Sequence, residues 1–329
     1  MISSRPSGEA LVARRAASDS ASLTKRLMGW PIMQLMTWRL FAQFGTEKEA
    51  KERPDASANN TTVPMLLKFR NDTAPPHGAV GNGAELRILP LGDSITVGWL
   101  SDTDGGDGDG YRRQLQQNLS RNNKVAYAGT VRSGSLKDGY YAAWSGQTIQ
   151  FIAEHAGAAL AQRPNVVLLM AGTNDMNPDP RVSRQGHDPA QAAARLGTLI
   201  DMIVGACPDA VLLVAVIPGT CNADQAPQTE VLQGLIPGVA ARRREAGGKQ
   251  VLAVDFGGDS FGVDLLRDCI HPTNAGYRIM GDYWSDFIQQ VPAGWIREPV
   301  GADPVRSEGS GARRAALGML AWALLFLCI

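Results

Sequence analysis

The sequence lacks an excess of charge of either sign. Its 329 residues include 32 Lys and Arg against 32 Asp and Glu, so the formal net charge is zero. Chains that bind nucleic acid or other polyanions over a broad surface usually carry a basic excess. We therefore expect no nucleic-acid partner. Apolar residues make up 44% of the chain and charged residues 19%, which is typical of a globular protein with an ordinary core.

Cysteine and histidine are also scarce, with four of each. Four cysteines are too few for a disulfide-framework protein of this length, and their spacings match no zinc motif. The histidines, His77, His155, His187 and His271, lie in separate segments and offer no cluster of metal ligands. We therefore expect neither a metal nor another cofactor.

A long uninterrupted apolar run is missing from the N-terminal part. Residues 28–44 are apolar but are interrupted by Pro31 and Arg39, which makes them a poor membrane span, and they begin late for a signal peptide. We interpret residues 1–80 as a region of low order. It contains either a targeting segment or the true start of the protein at an internal methionine.

The C-terminal part does contain an apolar run, "AALGMLAWALLFLCI" at residues 315–329. Small residues at 307–312 and two arginines precede it, and this outline is typical of a glycolipid (GPI) anchor signal with a short spacer. The alternatives are a membrane tail or a packing helix. Residues 293–314 would then form a linker. We expect a secreted or cell-surface protein, attached to a membrane through this tail.

Residues 85–292 alternate between strand and helix patterns, and we interpret them as one domain. Continuous apolar runs such as 165–170 and 210–217 are typical of strands buried on both faces. The predicted strands are 87–91, 125–131, 165–170, 210–217 and 250–256. The predicted helices are 110–123, 148–162, 189–206, 229–246 and 275–290. This alternation predicts an α/β fold, a doubly wound three-layer αβα sandwich around a five-stranded parallel sheet.

Polar clusters follow three of the predicted strands. The first strand leads into Gly92-Asp-Ser94, the third into Gly172-Thr-Asn-Asp175, and the fifth into a loop that ends in Asp268-Cys-Ile-His271. Because the carboxyl ends of parallel strands meet at one edge of a sheet, these clusters are expected to lie close together.

Such an edge can hold a catalytic serine. Ser94 needs a neighbouring base, and His271 is the only histidine expected at this edge, with Asp268 three residues upstream to orient its ring. The Asn174 side chain, the Ser94 amide and Gly146, just before a predicted helix, are candidate donors to an oxyanion. Each residue alone has a structural alternative: a helix cap for Ser94, a capping pair for Asp268 and His271, and a turn glycine for Gly146.

Four blocks together resemble the SGNH, or GDSL, hydrolase superfamily over roughly residues 85–290. They are GDS at 92–94, SGQT at 145–148, GTND at 172–175 and DCIH at 268–271, in the order that the superfamily has. The resemblance implies the SGNH hydrolase fold, which is flavodoxin-like, and a serine esterase. It implies these roles: nucleophile Ser94, base His271, orienting carboxylate Asp268, oxyanion donors Ser94, Gly146 and Asn174, and loop-bracing Asp93 and Asp175.

Within the superfamily, "GDSITVG", "SGQTI", "GTNDM" and "HPTNAGY" are most similar to the acetylxylan-esterase-like carbohydrate esterases. That similarity implies hydrolysis of acetyl esters, with a small ester or an acetylated polysaccharide as substrate. The chain departs from the pattern at 140–144, "YYAAW", where charged residues or histidine often precede the oxyanion glycine. Trp99, Tyr140, Tyr141 and Trp144 would form an aromatic platform for a sugar ring or simply pack the loop.

Two other functions stay open. The apolar tail favours a lipid or lysophospholipid esterase of the GDSL type, held at a membrane. A surface binding protein that keeps the fold without turnover is the alternative from another class.

Two further features lie near the predicted site. Residues 101–110, "SDTDGGDGDG", suggest a calcium loop, but Gly106 stands at the fifth position and the terminal Glu is missing, so a solvated loop or a mobile rim is the alternative. Cys221 and Cys269 are both expected at the catalytic edge. A disulfide between them would tether the catalytic loop in an oxidising compartment, whereas Cys207 is expected to be a lone buried thiol.

Overall fold

The computed structural model describes residues 65–70, 80, 83–247, 250–292, 294–301 and 304. Contacts between Cα atoms divide the chain into Met1–Asn60 and Thr61–Ile329, and every described residue belongs to the second unit. Most of the predicted N-terminal region (1–80), the end of the predicted linker and the whole apolar tail (315–329) therefore lie outside the described residues.

Eight strands form the described sheet. They are β1 (Leu66–Leu67), β2 (Glu85–Gly92), β3 (Lys124–Tyr127), β4 (Val131–Arg132), β5 (Tyr140–Ala143), β6 (Val166–Met170), β7 (Val211–Val216) and β8 (Val251–Asp255). Their order is β1-β8-β7-β6-β2, and the far edge of β2 pairs first with β3 and then with β5. The β4–β5 pair is antiparallel, and the other pairs in this sheet are parallel.

Helices connect these strands. They are α1 (Ser94–Val97), α2 (Arg112–Leu119), α3 (Ile149–His155), α4 (Gly157–Leu160), α5 (Pro189–Ala206), α6 (Ala226–Gly247) and α7 (Asn274–Gln289). Short 3-10 segments are present at Asn174–Met176, Gly258–Ser260 and Val263–Leu265. None of the helices in the described part of the chain is long and apolar enough to span a bilayer.

The central parallel sheet confirms the predicted fold. The five predicted strands correspond to β2, β3, β6, β7 and β8, and their order β3-β2-β6-β7-β8 is the flavodoxin-like one. Every residue of β6 and β7 is buried, because helices cover both faces of the sheet. A single apolar core therefore holds the carboxyl ends of the strands at one rigid edge.

Several predicted boundaries were wrong. The strand predicted at 125–131 ends at Tyr127, because the chain then turns away and residues 131–132 pair antiparallel with β5, a strand that was not predicted. The helix predicted at 148–162 is divided into α3 and α4 at Ala156. Helix α6 begins three residues earlier than predicted and continues through Pro237.

Candidate active site

Ser94 is placed by the sharp junction between β2 and α1. Gly92 ends β2, and a Cβ atom there would lie 2.2 Å from the Met170 carbonyl oxygen of β6, so only glycine fits. The Asp93 side chain then accepts a hydrogen bond from the Ile95 amide at 3.0 Å and caps α1. Ser94 is 5% exposed, and its Oγ lies 2.8 Å from Nε2 of His271.

The loop after β8 holds the candidate base His271 and the candidate orienting carboxylate Asp268. Asp268 Oδ2 lies 2.8 Å from His271 Nδ1, while Oδ1 accepts hydrogen bonds from the amides of Ile270 at 3.1 Å and His271 at 2.7 Å. Burial would raise the pKa of Asp268, but the hydrogen bond from the His271 ring and the backbone amides outweigh it and hold that pKa at about 2. An ionised Asp268 favours the tautomer with the proton on Nδ1, so Nε2 can accept the Ser94 proton.

Neighbouring contacts hold this loop in shape. The Arg267 amide donates to the His271 carbonyl at 2.8 Å, and Thr273 caps α7 through the Gly276 amide at 3.0 Å. A disulfide joins Cys269 to Cys221 in the loop after β7, so the structure contains the anticipated tether. Cys207 is a buried free cysteine.

The candidate oxyanion donors lie on three different segments of the same edge. The Ser94 amide belongs to the first turn of α1, where amides have no acceptor within the helix. Gly146 has a φ of +71°, a left-handed conformation that glycine adopts without strain, just before α3. Asn174 Nδ2 donates one hydrogen bond to the Gln147 carbonyl at 3.0 Å, which fixes the amide and leaves its second hydrogen for a substrate.

Asp175 contacts the segments of the candidate donors and also binds Arg195, a partner that was not predicted from the sequence. Its Oδ2 accepts from the Ile149 amide at the start of α3, and its Oδ1 accepts from Arg195 Nε at 3.2 Å and Nη2 at 2.9 Å. The carboxylate is buried, and burial raises its pKa against the opposing effect of these hydrogen bonds. The sequence contained one indication that Arg195 faces the protein interior. Arg195 lies on the same face of the predicted helix as Ala192 and Leu199, both of which are buried.

Of the four aromatic residues considered for a sugar platform, the structure places one beside the triad. The Trp99 and His271 ring centroids are 6.2 Å apart. Tyr141 is buried with its ring under the Arg112 guanidinium, so it is not available to a substrate.

The other two aromatic residues contact protein groups. The Trp144 ring packs against Phe151 and His155 of α3, at centroid distances of 5.8 and 5.7 Å. The Tyr140 ring lies 5.8 Å from the Arg132 guanidinium. These contacts favour the packing alternative for Trp144.

Arginine side chains form ion pairs with acidic residues of the loop 101–110. Arg113 contacts Asp107 and the buried Asp109, and Arg267 contacts Asp104 at 3.0 Å. Asp102, Asp104 and Asp107 of this loop are exposed, whereas Asp109 is fully buried. Within the described residues, no three His, Cys, Asp or Glu side chains are grouped as metal ligands.

The fold is that of the SGNH hydrolases, and the candidate residues lie at the sheet edge where that resemblance predicts them. The chain belongs to the GDSL-like Lipase/Acylhydrolase family, whose model matches residues 91–279. This match confirms the resemblance to the SGNH/GDSL superfamily and the class of carboxylic ester hydrolases.

Two kinds of relative are similar to the chain. A multidomain esterase of Ruminococcus flavefaciens is 26% identical over 243 residues, which are 62% of this chain but only 28% of that protein. A family 3 carbohydrate esterase of Talaromyces cellulolyticus is 21% identical, with a TM-score of 0.51 over 62% of this chain and 97% of its own, and it shares the fold. A family 3 carbohydrate esterase of Clostridium thermocellum is 25% identical, with a TM-score of 0.48 over 61% of this chain and 93% of its own.

Proposed function

We propose that the protein is a serine esterase that hydrolyses short acyl esters, acetyl esters above all, on carbohydrate. The observation that carries this proposal is the continuous hydrogen-bonded series from Ser94 Oγ through the His271 ring to Asp268, with both distances at 2.8 Å. Nucleophile, base and orienting carboxylate in contact are what acyl transfer to a serine requires.

The proposed reaction has two halves. In the first, Ser94 Oγ attacks the ester carbonyl carbon while His271 Nε2 takes the hydroxyl proton. The oxyanion that forms is held by the Ser94 amide, the Gly146 amide and Asn174 Nδ2. The tetrahedral intermediate then expels the alcohol, which leaves with the proton from His271. In the second half, water attacks the acyl-enzyme, His271 accepts and returns a proton, and the carboxylic acid and free Ser94 are released.

The surface position of the site favours a carbohydrate substrate. The side chains of His271 and Asp268 are 16% and 42% exposed, so an ester carried on a large polymer can approach them. The indole of Trp99 beside His271 offers a face on which a sugar ring can stack. Carbohydrate esterases of the same fold supply the substrate class to test, namely acetylated polysaccharides.

Replacing Ser94 by Ala tests the mechanism. The variant is expected to lose at least about a thousandfold in kcat on a simple acetyl ester, because its nucleophile is gone, while its unfolding temperature changes little. Exposed Ser120 supplies the matched control, since Ser120→Ala removes a hydroxyl far from the triad. An active Ser94→Ala variant would overturn the mechanism.

Substrate profiling and covalent labelling separate the remaining functions. The proposal expects faster release of acetate from acetylated xylan and acetyl esters than of fatty acid from long-chain esters. Faster hydrolysis of long-chain esters would favour the lipid esterase, which the apolar segment at 315–329 motivates. A wild-type protein that neither turns over nor forms a stoichiometric adduct with an organophosphorus probe would be the binding protein instead.

We also propose that the protein acts outside the reducing cytosol, at the cell surface or in a secreted form. The disulfide between Cys221 and Cys269 supports this, because such bonds persist in oxidising compartments. Peptide mass spectrometry of the protein from its native host, with free thiols blocked at lysis, should detect the linked peptides. Recovery of both cysteines in blocked form would contradict the proposal.

A further inference from the structure

Arg267 directly precedes the catalytic loop, and the reaction described above makes no use of it. Its side chain is only 19% exposed. The guanidinium Nη1 donates to Thr103 Oγ1 at 2.6 Å and to Asp104 Oδ2 at 3.0 Å. Both acceptors lie in the acidic loop, more than 160 residues away in the sequence.

A second contact joins the same two loops from the other side of His271. Asn274 Nδ2, three residues after His271, donates to the Thr103 carbonyl at 2.8 Å. The Thr103 hydroxyl in turn donates to the Leu100 carbonyl at 2.7 Å. Thr103 therefore accepts hydrogen bonds from Arg267 and Asn274, which lie on either side of His271 in the sequence. Its own hydroxyl holds Leu100, the residue after Trp99.

We propose that Arg267 is a positioning residue, which couples the loop that carries Trp99 to the loop that carries Asp268 and His271. A planar guanidinium with two directed donors fixes both the distance and the orientation of the loops that it joins. Catalytic groups must be held within about 0.5 Å of the productive geometry. This inference rests on the proposed function, because it concerns the same triad.

The hydrogen bond from Arg267 to the uncharged hydroxyl of Thr103 carries most of the coupling between the two loops. Asp104 is 79% exposed, and an exposed ion pair contributes little because solvent screens it. Thr103 Oγ1 is partly buried and accepts the shorter hydrogen bond. Removing the Thr103 hydroxyl should therefore lower kcat as much as removing the guanidinium does. Asp104→Asn keeps a carbonyl oxygen as acceptor and should change kcat very little.

The test uses kcat and KM of the full-length protein on a small acetyl ester. Arg267→Met and Thr103→Val should each lower kcat about tenfold and change KM by less than about twofold, because displaced catalytic groups slow the chemical step. The double variant should lose clearly less than the product of the two single losses, since both substitutions remove the Arg267–Thr103 hydrogen bond and differ only in the other contacts of each side chain. Arg267→Lys, which keeps a donor, should recover part of kcat.

The matched control is Arg278→Met. Arg278 is exposed on α7, and no hydrogen bond or ion pair of its side chain is present among the described residues. It should keep the wild-type kcat. The proposal is overturned if Arg267→Met keeps kcat within about twofold of the wild type, or if the losses of the two single variants multiply in the double variant.

A purely structural role has a different signature. If the Arg267→Met loss disappears when kcat is measured well below the unfolding temperature, the residue only stabilises the fold and the proposal fails. The proposed function is tested separately, by the activity of the Ser94→Ala variant. If that variant is active, the proposed triad is wrong, whatever the effect of the Arg267 variants.

Discussion

At the scale of single residues, the pKa values of two carboxyl groups in the candidate active site, Asp268 and Asp93, are shifted in opposite directions. Asp268 is partly exposed and hydrogen-bonded through both oxygens, so it remains ionised down to about pH 2. Asp93 is fully buried, and its Oδ2 has no hydrogen-bond partner among the described residues. Burial, only partly opposed by the Ile95 amide and the charge of His271, raises the pKa of Asp93 to about 6.

The raised pKa of Asp93 predicts that Asp93→Asn stabilises the protein at neutral pH. A pKa raised from 3.8 to about 6 means that ionised Asp93 lowers the free energy of unfolding by about 3 kcal/mol at pH 7. The protein regains this stability as the pH falls from 6 towards 4, because Asp93 becomes protonated in the folded state. An asparagine keeps the acceptor for the Ile95 amide, although its unpartnered amide nitrogen offsets part of the gain. We expect a net gain of about 1–2 kcal/mol at pH 7.

Urea unfolding of the wild type and of Asp93→Asn at pH 7 and at pH 4.5 measures this difference. The stability gap should narrow at the lower pH, where Asp93 is protonated. A variant that is less stable than the wild type at pH 7 would show that the carboxylate is satisfied in the folded state.

At the scale of elements, one buried ion pair supports the segments that carry the proposed oxyanion donors. Asp175 follows β6, accepts from the first turn of α3 and binds Arg195 of α5. The turn with Asn174 and the segment with Gly146 are thus held to one another by this carboxylate, in addition to the hydrogen bond from Asn174 to the Gln147 carbonyl. The side chains of Asp175 and Arg195 are 0% and 14% exposed, so water cannot replace a missing partner easily.

Arg195→Met should therefore damage both stability and activity. Breaking a buried pair leaves one charge without its partner and costs about 3–5 kcal/mol, and we expect the lower end because Asp175 keeps the Ile149 amide. We also expect kcat to fall about tenfold, since Asn174 and Gly146 lose their common support. Chemical unfolding and kinetics at low temperature separate the two effects.

The exposed residue Arg121 provides the comparison for this substitution. Arg121→Met also removes an arginine from the domain, but it should leave stability and kcat unchanged. Wild-type stability of Arg195→Met would contradict the role of the pair.

At the scale of the whole molecule, the opposite edge of the sheet holds the segment at 297–301. Buried Arg87, near the amino end of β2, donates to the carbonyl oxygens of Val300 and Gly301 at 2.9 Å each. Asn165, just before β6, donates to the Arg297 carbonyl at 2.6 Å. This segment therefore lies about 25 Å from Ser94, the length of an eight-residue strand.

Arg87→Met should separate stability from catalysis. The variant loses hydrogen bonds from a charged donor to several carbonyl oxygens, which we expect to cost about 2–3 kcal/mol of stability. It should keep the wild-type kcat, because the active site lies at the other end of β2. A loss of kcat with unchanged stability would contradict this division between the two edges.

Much of the site could be predicted from the sequence, because its members are placed by local rules. Ser94 follows a strand end and His271 precedes a helix start, so their common edge follows from the alternation of strands and helices alone. The last helix was predicted to begin at residue 275, and α7 begins one residue earlier, at Asn274, with Thr273 as its cap. Arg195 and Arg267 were missed, because their roles depend on partners 20 and more than 160 residues away.

The strand and helix periodicity of the sequence by itself determined the parallel sheet and the edge at which the reactive groups meet, whereas the strand order is a finding of the structure. Only the tertiary structure decided which residues support that edge. It packed Trp144 on α3 while placing Trp99 beside His271, and it buried Asp93 and Tyr141. The physical reason is that periodicity reports which face of an element is covered, whereas burial of a charge, an ion pair or a ring depends on what another part of the chain brings against it.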